Sequence, residues 1–215
     1  MRDATLVLVI VALGVLVALV YFPWVNRSPS PLRSVLKTLP LVLFALAMFG
    51  AFSPALLIGA LLLSAMGDLA LSREGRRAFL AGLSAFALAH VAYVGLFLDQ
   101  GQPDPLAAVL ARPMGALAML GLAGSTEVWL TPHARDLRWP VRVYVLVITA
   151  MGLAALGTGD AVLIAGAGLF ILSDFLLALR MFRLAPVDPW TGPSGWGVWL
   201  FYIAGQFLIM AAITL

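Results

Sequence analysis

Two aspartates stand where a carboxylate is expensive to keep. Asp68 is embedded in Leu-Leu-Leu-Ser-Ala-Met-Gly-Asp-Leu-Ala-Leu and Asp174 in Leu-Phe-Ile-Leu-Ser-Asp-Phe-Leu-Leu. An ionisable side chain within such a run marks a functional site by default and should face the interior of a helix bundle. Two carboxyl groups in unlike surroundings are the machinery of acid–base chemistry: one donates a proton, while the other, ionised, stabilises a cation or activates water. Ser64 lies one helical turn before Asp68, and Ser173 adjoins Asp174. Lys37 stands at the inner end of the second apolar run, and His90 and Tyr93, three apart, share one helical face, as do Tyr202 and Gln206, four apart. With Tyr144, these groups would line a polar cavity in an apolar shell, as in a buried active site or a proton relay. The chain has no Cys, so no thiol nucleophile, disulfide framework or thiolate metal site is available; His90 and His133 are its two imidazoles. No metal or cofactor is expected.

Each of these residues also has a purely structural reading. Lys37 and Glu127 stand near the ends of apolar runs and can extend to water along their own stems. Tyr144 and Tyr202 suit an interfacial aromatic belt, while Ser64, Ser173 and Gln206 suit hydrogen bonds between helices. His90 fits a satisfied core histidine, and either aspartate fits an interhelical ion pair with Lys37 or His90. Gly67, Gly82, Gly95, Gly166 and Gly168 read as close-packing positions. His133, Arg135 and Arg138 read as a solvated loop.

The elements that must position these groups follow from composition. Of 215 residues, 63% are hydrophobic and 11% charged, which leaves too little polar surface to cover a water-soluble globule. Apolar runs fall at about residues 5–25, 35–52, 54–72, 77–98, 106–130, 140–157, 160–182 and 195–215, each near the 20 or so residues that a bilayer requires. The chain is therefore expected to be all-α: a polytopic membrane bundle of about eight transmembrane helices forming a single transmembrane domain over 1–215. Phe52, Ser53 and Pro54 join the second and third runs in a tight hairpin. The first run, preceded by Arg2 and Asp3, is too long for the apolar part of a signal peptide; with Tyr21, Phe22 and Trp24 as a belt, it reads as a span. A short echo between Ser64–Asp68 and Leu172–Asp174 hints at a duplicated architecture without establishing one.

Charge gives orientation. The loops after runs one, three, five and seven contain or border Arg27, Arg33, Lys37, Arg73, Arg76, Arg77, Arg135, Arg138, Arg142, Arg180 and Arg183, which is 11 of 13 basic residues. The opposite loops hold Asp99, Asp104 and Asp160, with Arg112 as the exception. Short cytoplasmic loops are the basic ones, so both termini are expected to be extracytoplasmic. Asp68 and Asp174 would then lie at similar depth in the inner half of the membrane, their helices both running inward. The net charge of +3 is clustered between apolar runs without aromatic interleaving, a pattern of topology rather than of nucleic-acid binding.

An ordered set of residues resembles the YhhN-like or TMEM86-like membrane proteins. It comprises Lys37 and Pro40; Gly67-Asp68 with Leu71; Phe79, Gly82, Phe86, His90 and Tyr93; Pro140, Tyr144 and Met151; Gly166-Ala-Gly-Leu-Phe170 running into Ser173-Asp174; and Tyr202, Ala204 and Gln206. The likeness runs through spans two to eight in order, with one departure: Lys37 is followed by Thr38, and the expected proline is displaced to Pro40. The resemblance implies a lysoplasmalogenase, a hydrolase of the vinyl-ether bond of lysoplasmalogens that yields a fatty aldehyde and a glycerophospho head group. It implies a lysophospholipid substrate among membrane lipids; the chain is expected in a bacterial inner membrane, with no nucleic-acid partner. Asp68 and Asp174 would be the catalytic pair, with Lys37, Ser64, His90, Tyr93, Tyr144, Ser173, Tyr202 and Gln206 binding or orienting substrate and water. A carrier using the two aspartates as protonation sites, or a structural protein, is the competing reading.

Overall fold

A computed structural model describes residues 4–101 and 104–214; Arg2, Asp3 and Leu215 lie outside the described residues. The described elements are helical, with no strand among them: α1 (Ala4–Tyr21), α2 (Pro31–Gly50), α3 (Ala55–Leu71), α4 (Arg76–Gln100), α5 (Pro105–Leu110), α6 (Pro113–Trp129), α7 (Arg138–Thr158), α8 (Ala161–Phe182) and α9 (Thr191–Thr214). Six are long and apolar enough to cross a membrane, α1, α2, α4, α7, α8 and α9; α3 is apolar but has 17 residues. Eight helices have 17 residues or more, as the apolar runs predict. Leu, Val, Phe and Met side chains are exposed along nearly all of them, for example Leu8, Leu46, Met66, Leu88, Leu146 and Leu200. Such surface needs lipid to cover it; the protein is an integral membrane protein.

The fifth run departs from expectation. The span predicted over 106–130 is two helices, α5 and α6, separated at Ala111 and Arg112. Pro113 is the cause: it lacks an N–H and crowds the preceding residue out of the helical region, leaving Arg112 at φ −124°, ψ 58°. α6 then begins at Pro113, where a missing N–H is harmless.

The chain divides into two compact units, Met1–Tyr93 and Val94–Leu215. In the first, α1, α2 and α3 pack in sequence. Ser30 caps α2 by accepting from Arg33 N at 3.2 Å, and Pro31 occupies the first turn, so this helix starts earlier than its apolar run. The α2–α3 connection is the expected hairpin through Phe52, Ser53 and Pro54. Pro40 sits buried within α2, where it removes one backbone hydrogen bond. Tyr21 does not belong to a belt: it is 1% exposed, and the Arg33 guanidinium lies 6.0 Å from its ring centroid. Gly67 admits the Phe86 ring, which would lie 2.6 Å from a Cβ there.

In the second unit α8 and α9 form the most intimate pair. They meet where Gly166 and Gly205 face each other; a Cβ on Gly205 would come within 2.8 Å of the Gly166 carbonyl oxygen. Gly168, by contrast, has nothing within 4 Å of such a position, so it is not a packing glycine. α7 ends at Gly159, which takes the left-handed conformation (φ +74°), and Asp160 caps α8 by accepting from Val162 N and Leu163 N at 2.7 and 2.9 Å. Leu130, Ala134 and Val141 form a small core, with Trp129, Leu137 and Phe182 against it, that fastens the turns between α6 and α7.

Candidate active site

The candidate residues fall into two sets, one in each unit. In the first, Lys37 Nζ lies 3.1 Å from Asp68 Oδ1, with the Asp68 side chain 2% exposed and that of Lys37 17%. Lys37 therefore turns into the α2–α3 interface rather than extending to water. One turn further along the same two helices, Ser72 Oγ donates to Ser34 Oγ at 2.7 Å, and Ser34 donates to the Ser30 carbonyl. Ser34 and Lys37 are three apart on α2, and Ser72, which caps the C-terminal end of α3, is four residues beyond Asp68, so a polar seam runs along the joint. Ser64, on the preceding turn of α3, is fully buried. The α2 residue Thr38, by contrast, buries its Oγ1 with no hydrogen-bond partner.

On α4, His90 and Tyr93 are both fully buried. His90 Nδ1 lies 2.5 Å from the Phe86 carbonyl oxygen; because a carbonyl only accepts, the proton belongs on Nδ1. Phe86 is also the residue whose ring fits against Gly67, next to Asp68. His90 thus steadies the turn of α4 that packs on the aspartate's helix.

In the second unit, Tyr144 of α7 donates its hydroxyl to Asp174 Oδ2 at 2.7 Å. Asp174 is half-buried, unlike Asp68. Ser173 directs its hydroxyl to the Val198 carbonyl of α9 at 3.0 Å, which makes it a tether of α8 to α9 and fixes the direction of the neighbouring Asp174. Tyr202 is buried, its ring edge-on to Phe170 at 5.3 Å and beside Trp199 at 5.8 Å. Gln206, one turn on, is fully buried. Tyr202 therefore does not belong to an interfacial belt. Glu127 stands apart from these sets, clasped in two hydrogen bonds by Arg142 at 2.9 and 2.7 Å, with both side chains substantially exposed. Ser34 and Ser72 were not singled out by sequence, although their spacing from Lys37 and Asp68 carried the signal. Among the described residues no three His, Asp or Glu side chains gather as metal ligands.

A polytopic α-helical membrane protein with carboxylates held by polar partners inside its apolar helices is the class defined here. The chain belongs to the YhhN family, whose model matches residues 32–213. It is 34% identical over 164 residues to proteins of Mycobacterium bovis and Mycobacterium tuberculosis named lysoplasmalogenase, covering 72% of this chain and 59% of theirs. It is 37% identical over 174 residues to lysoplasmalogenase TMEM86B of Sus scrofa, covering 77% of this chain and 70% of that one. The alignment thus spans about three fifths of the mycobacterial relatives' length. No solved structure matches the chain.

Proposed function

We propose that this protein is a membrane hydrolase that cleaves the vinyl-ether bond of lysoplasmalogens, releasing a fatty aldehyde and a glycerophospho head group. The names of its relatives support this reading, and the observation in the molecule that carries it is the presence, within apolar helices, of two aspartates with different partners: an ammonium at Asp68 and a phenolic hydroxyl at Asp174.

The reaction needs two carboxyl functions. Protonation of the β-carbon uses the alkene electron pair to form a C–H bond and leaves an oxocarbenium ion on the α-carbon and ether oxygen. Water adds to the α-carbon and loses a proton to a carboxylate, giving a hemiacetal. The hemiacetal C–O bond then breaks, its electron pair and a proton going to the glycerol oxygen, and the hydroxyl becomes the aldehyde carbonyl. An acid and an anionic base suffice, as for the related oxocarbenium chemistry of glycoside hydrolysis. We assign these functions to Asp68 and Asp174. Ser64, His90, Tyr93, Tyr202 and Gln206 would orient substrate or water, and Lys37 and Tyr144 would hold the aspartates. A single-chain amphiphile suits such a site, its tail lying among apolar helices and its phosphate near the basic loops.

The same reading puts the chain in a bacterial inner membrane with both termini extracytoplasmic, supported by the mycobacterial relatives and by the alternation of arginine-rich loops. Purified protein incubated with a 1-alkenyl lysophospholipid should release long-chain aldehyde in step with loss of the vinyl ether. Proton-coupled transport without aldehyde would overturn the proposal.

A further inference from the structure

On the vinyl-ether reading, the substrate must be held by its charged head while its ether oxygen and alkene lie deeper, among apolar helices. We infer that the turn between α3 and α4 docks the phosphate of that substrate through Arg73, Arg76 and Arg77, and so sets the ether bond at the depth of the Lys37–Asp68 pair. α3 ends at Leu71 and α4 begins at Arg76, so the three arginines stand on one short turn with Glu74 as its single carboxylate. All four of these residues are exposed.

Several arginines elsewhere are engaged by the protein itself. Arg33 donates to the Trp24 and Val25 carbonyls, Arg138 to that of Arg135, Arg180 to that of Thr191 and Arg183 to that of Trp129, while Arg142 clasps Glu127. Among the described residues, the guanidinium groups of Arg73, Arg76 and Arg77 make no hydrogen bond or ion pair, with Glu74 or otherwise. Two of them are also at odds with their own helix. Arg76 and Arg77 open α4, whose first turn holds no acid, at the end where the backbone dipole is positive and cations are unfavourable. An anion from outside offsets that repulsion. A phosphate diester, with one negative charge shared by two free oxygens, fits guanidinium donors.

Depth ties the dock to the substrate. Asp68 precedes Ser72 by four residues and Arg73 by five, a rise of about 6 to 7.5 Å along α3. In a lysoplasmalogen five bonds separate phosphorus from the vinyl-ether oxygen, a span close to the roughly 5.4 Å of one helical turn, and an arginine side chain covers the difference. A phosphate held at the turn thus leaves the ether oxygen level with Asp68, and the alkenyl chain continues into the apolar layer. The packing of this unit keeps that separation constant. Ser72, at the end of α3, donates to Ser34 of α2 at 2.7 Å, and Gly82 of α4 admits the Leu71 side chain, whose Cγ would lie 2.6 Å from a Cβ there.

Pairs of lipids that differ only in the phosphate head group separate this dock from binding of the chain alone. For catalysis these are a 1-alkenyl lysophospholipid and the corresponding 1-alkenylglycerol; for binding, their radiolabelled 1-alkyl analogues, whose saturated ether resists cleavage. In full-length, folded protein in neutral detergent micelles, Arg73→Gln/Arg76→Gln/Arg77→Gln should raise KM for the lysophospholipid at least about tenfold with kcat within about twofold of wild type, as for a contact kept from bound substrate to transition state. Binding of the alkyl lysophospholipid should weaken by a similar factor, and both glycerols should be unaffected. Arg73→Lys/Arg76→Lys/Arg77→Lys, which keeps the charge without the planar fork, should stay within about threefold of wild type. Arg138→Gln, which removes a charge from another loop, should change neither substrate.

An unchanged KM in the triple glutamine variant overturns the dock. So does an equal rise on both substrates, or the same rise in Arg138→Gln, since either would mean that the arginines act on the micelle surface at large. A wild type that cleaves the alkenylglycerol as efficiently as the lysophospholipid overturns it too. A wild type that leaves the vinyl ether intact, yet binds the alkyl lysophospholipid through these arginines, sinks the hydrolase reading and leaves the phosphate dock standing.

Discussion

Lys37 and Asp68 meet across the α2–α3 joint with Nζ 3.1 Å from Oδ1, the carboxylate almost wholly removed from solvent. Removing one member of such a pair strands the other. Lys37→Met should therefore destabilise the protein by about 3 kcal/mol, the lower end for a broken buried pair because the lysine keeps some exposure. The double variant Lys37→Met/Asp68→Asn, which leaves no stranded charge, should recover much of that loss while remaining inactive. Thermal unfolding in micelles checks both. A single variant as stable as wild type would show that the pair does not hold the joint.

How far the sequence foretold this differs between the helices and the site. Eight helices were legible because lipid imposes long apolar runs and backbone hydrogen bonding must be satisfied within each. The break at Arg112–Pro113 was legible in principle, since a residue before proline resists the helical region, but the continuous apolar composition on both sides concealed it. Asp68 and Asp174 announced themselves by their surroundings. Their partners did not: composition leaves Lys37 free to extend to water or to turn inward, and only the pairing of α2 with α3 decides it. Likewise, Tyr21 and Tyr202 have the residue type of a belt, and packing against Arg33 and Phe170 makes them interior residues.

The α8–α9 crossing gives a sharp contrast between two glycines. A Cβ on Gly205 meets the Gly166 carbonyl oxygen at 2.8 Å and Phe170 N at 3.0 Å, both backbone atoms that cannot turn aside. Gly205→Ala should lower stability by about 1–3 kcal/mol through overpacking. Gly168→Ala, with open space around it, should be neutral or raise stability by up to about 1 kcal/mol, since alanine is the better helix former. Unfolding curves for the two variants should separate them; equal effects would contradict the crossing.

Orientation in the membrane is open to a direct test. Reporter tags at both termini should be extracytoplasmic, and one inserted between Arg73 and Arg77 cytoplasmic, if the arginine-rich loops lie inside. A cytoplasmic C-terminus with an extracytoplasmic N-terminus would mean that an odd number of segments crosses, with the broken α5–α6 region the first place to look.

The clasp between Glu127 and Arg142 is exposed and distant in character from the aspartate contacts. Exposed ion pairs contribute little, and Glu127→Gln should leave aldehyde release within about threefold of wild type. A loss comparable to that of an aspartate variant would bring α6 into the chemistry.

Asp68 and Asp174 are proposed to hydrolyse a vinyl ether together. Asparagine keeps the size and hydrogen-bonding capacity of each carboxyl while abolishing proton transfer. The most direct measurement is the initial rate of long-chain aldehyde release from a 1-alkenyl lysophospholipid by wild type, Asp68→Asn, Asp174→Asn and the double variant, with folding verified for each. Wild type should release aldehyde, each single variant should lose at least about 10²-fold, and the double variant should be little worse than either, as for groups acting as one unit. Full activity in either folded single variant would contradict the proposal.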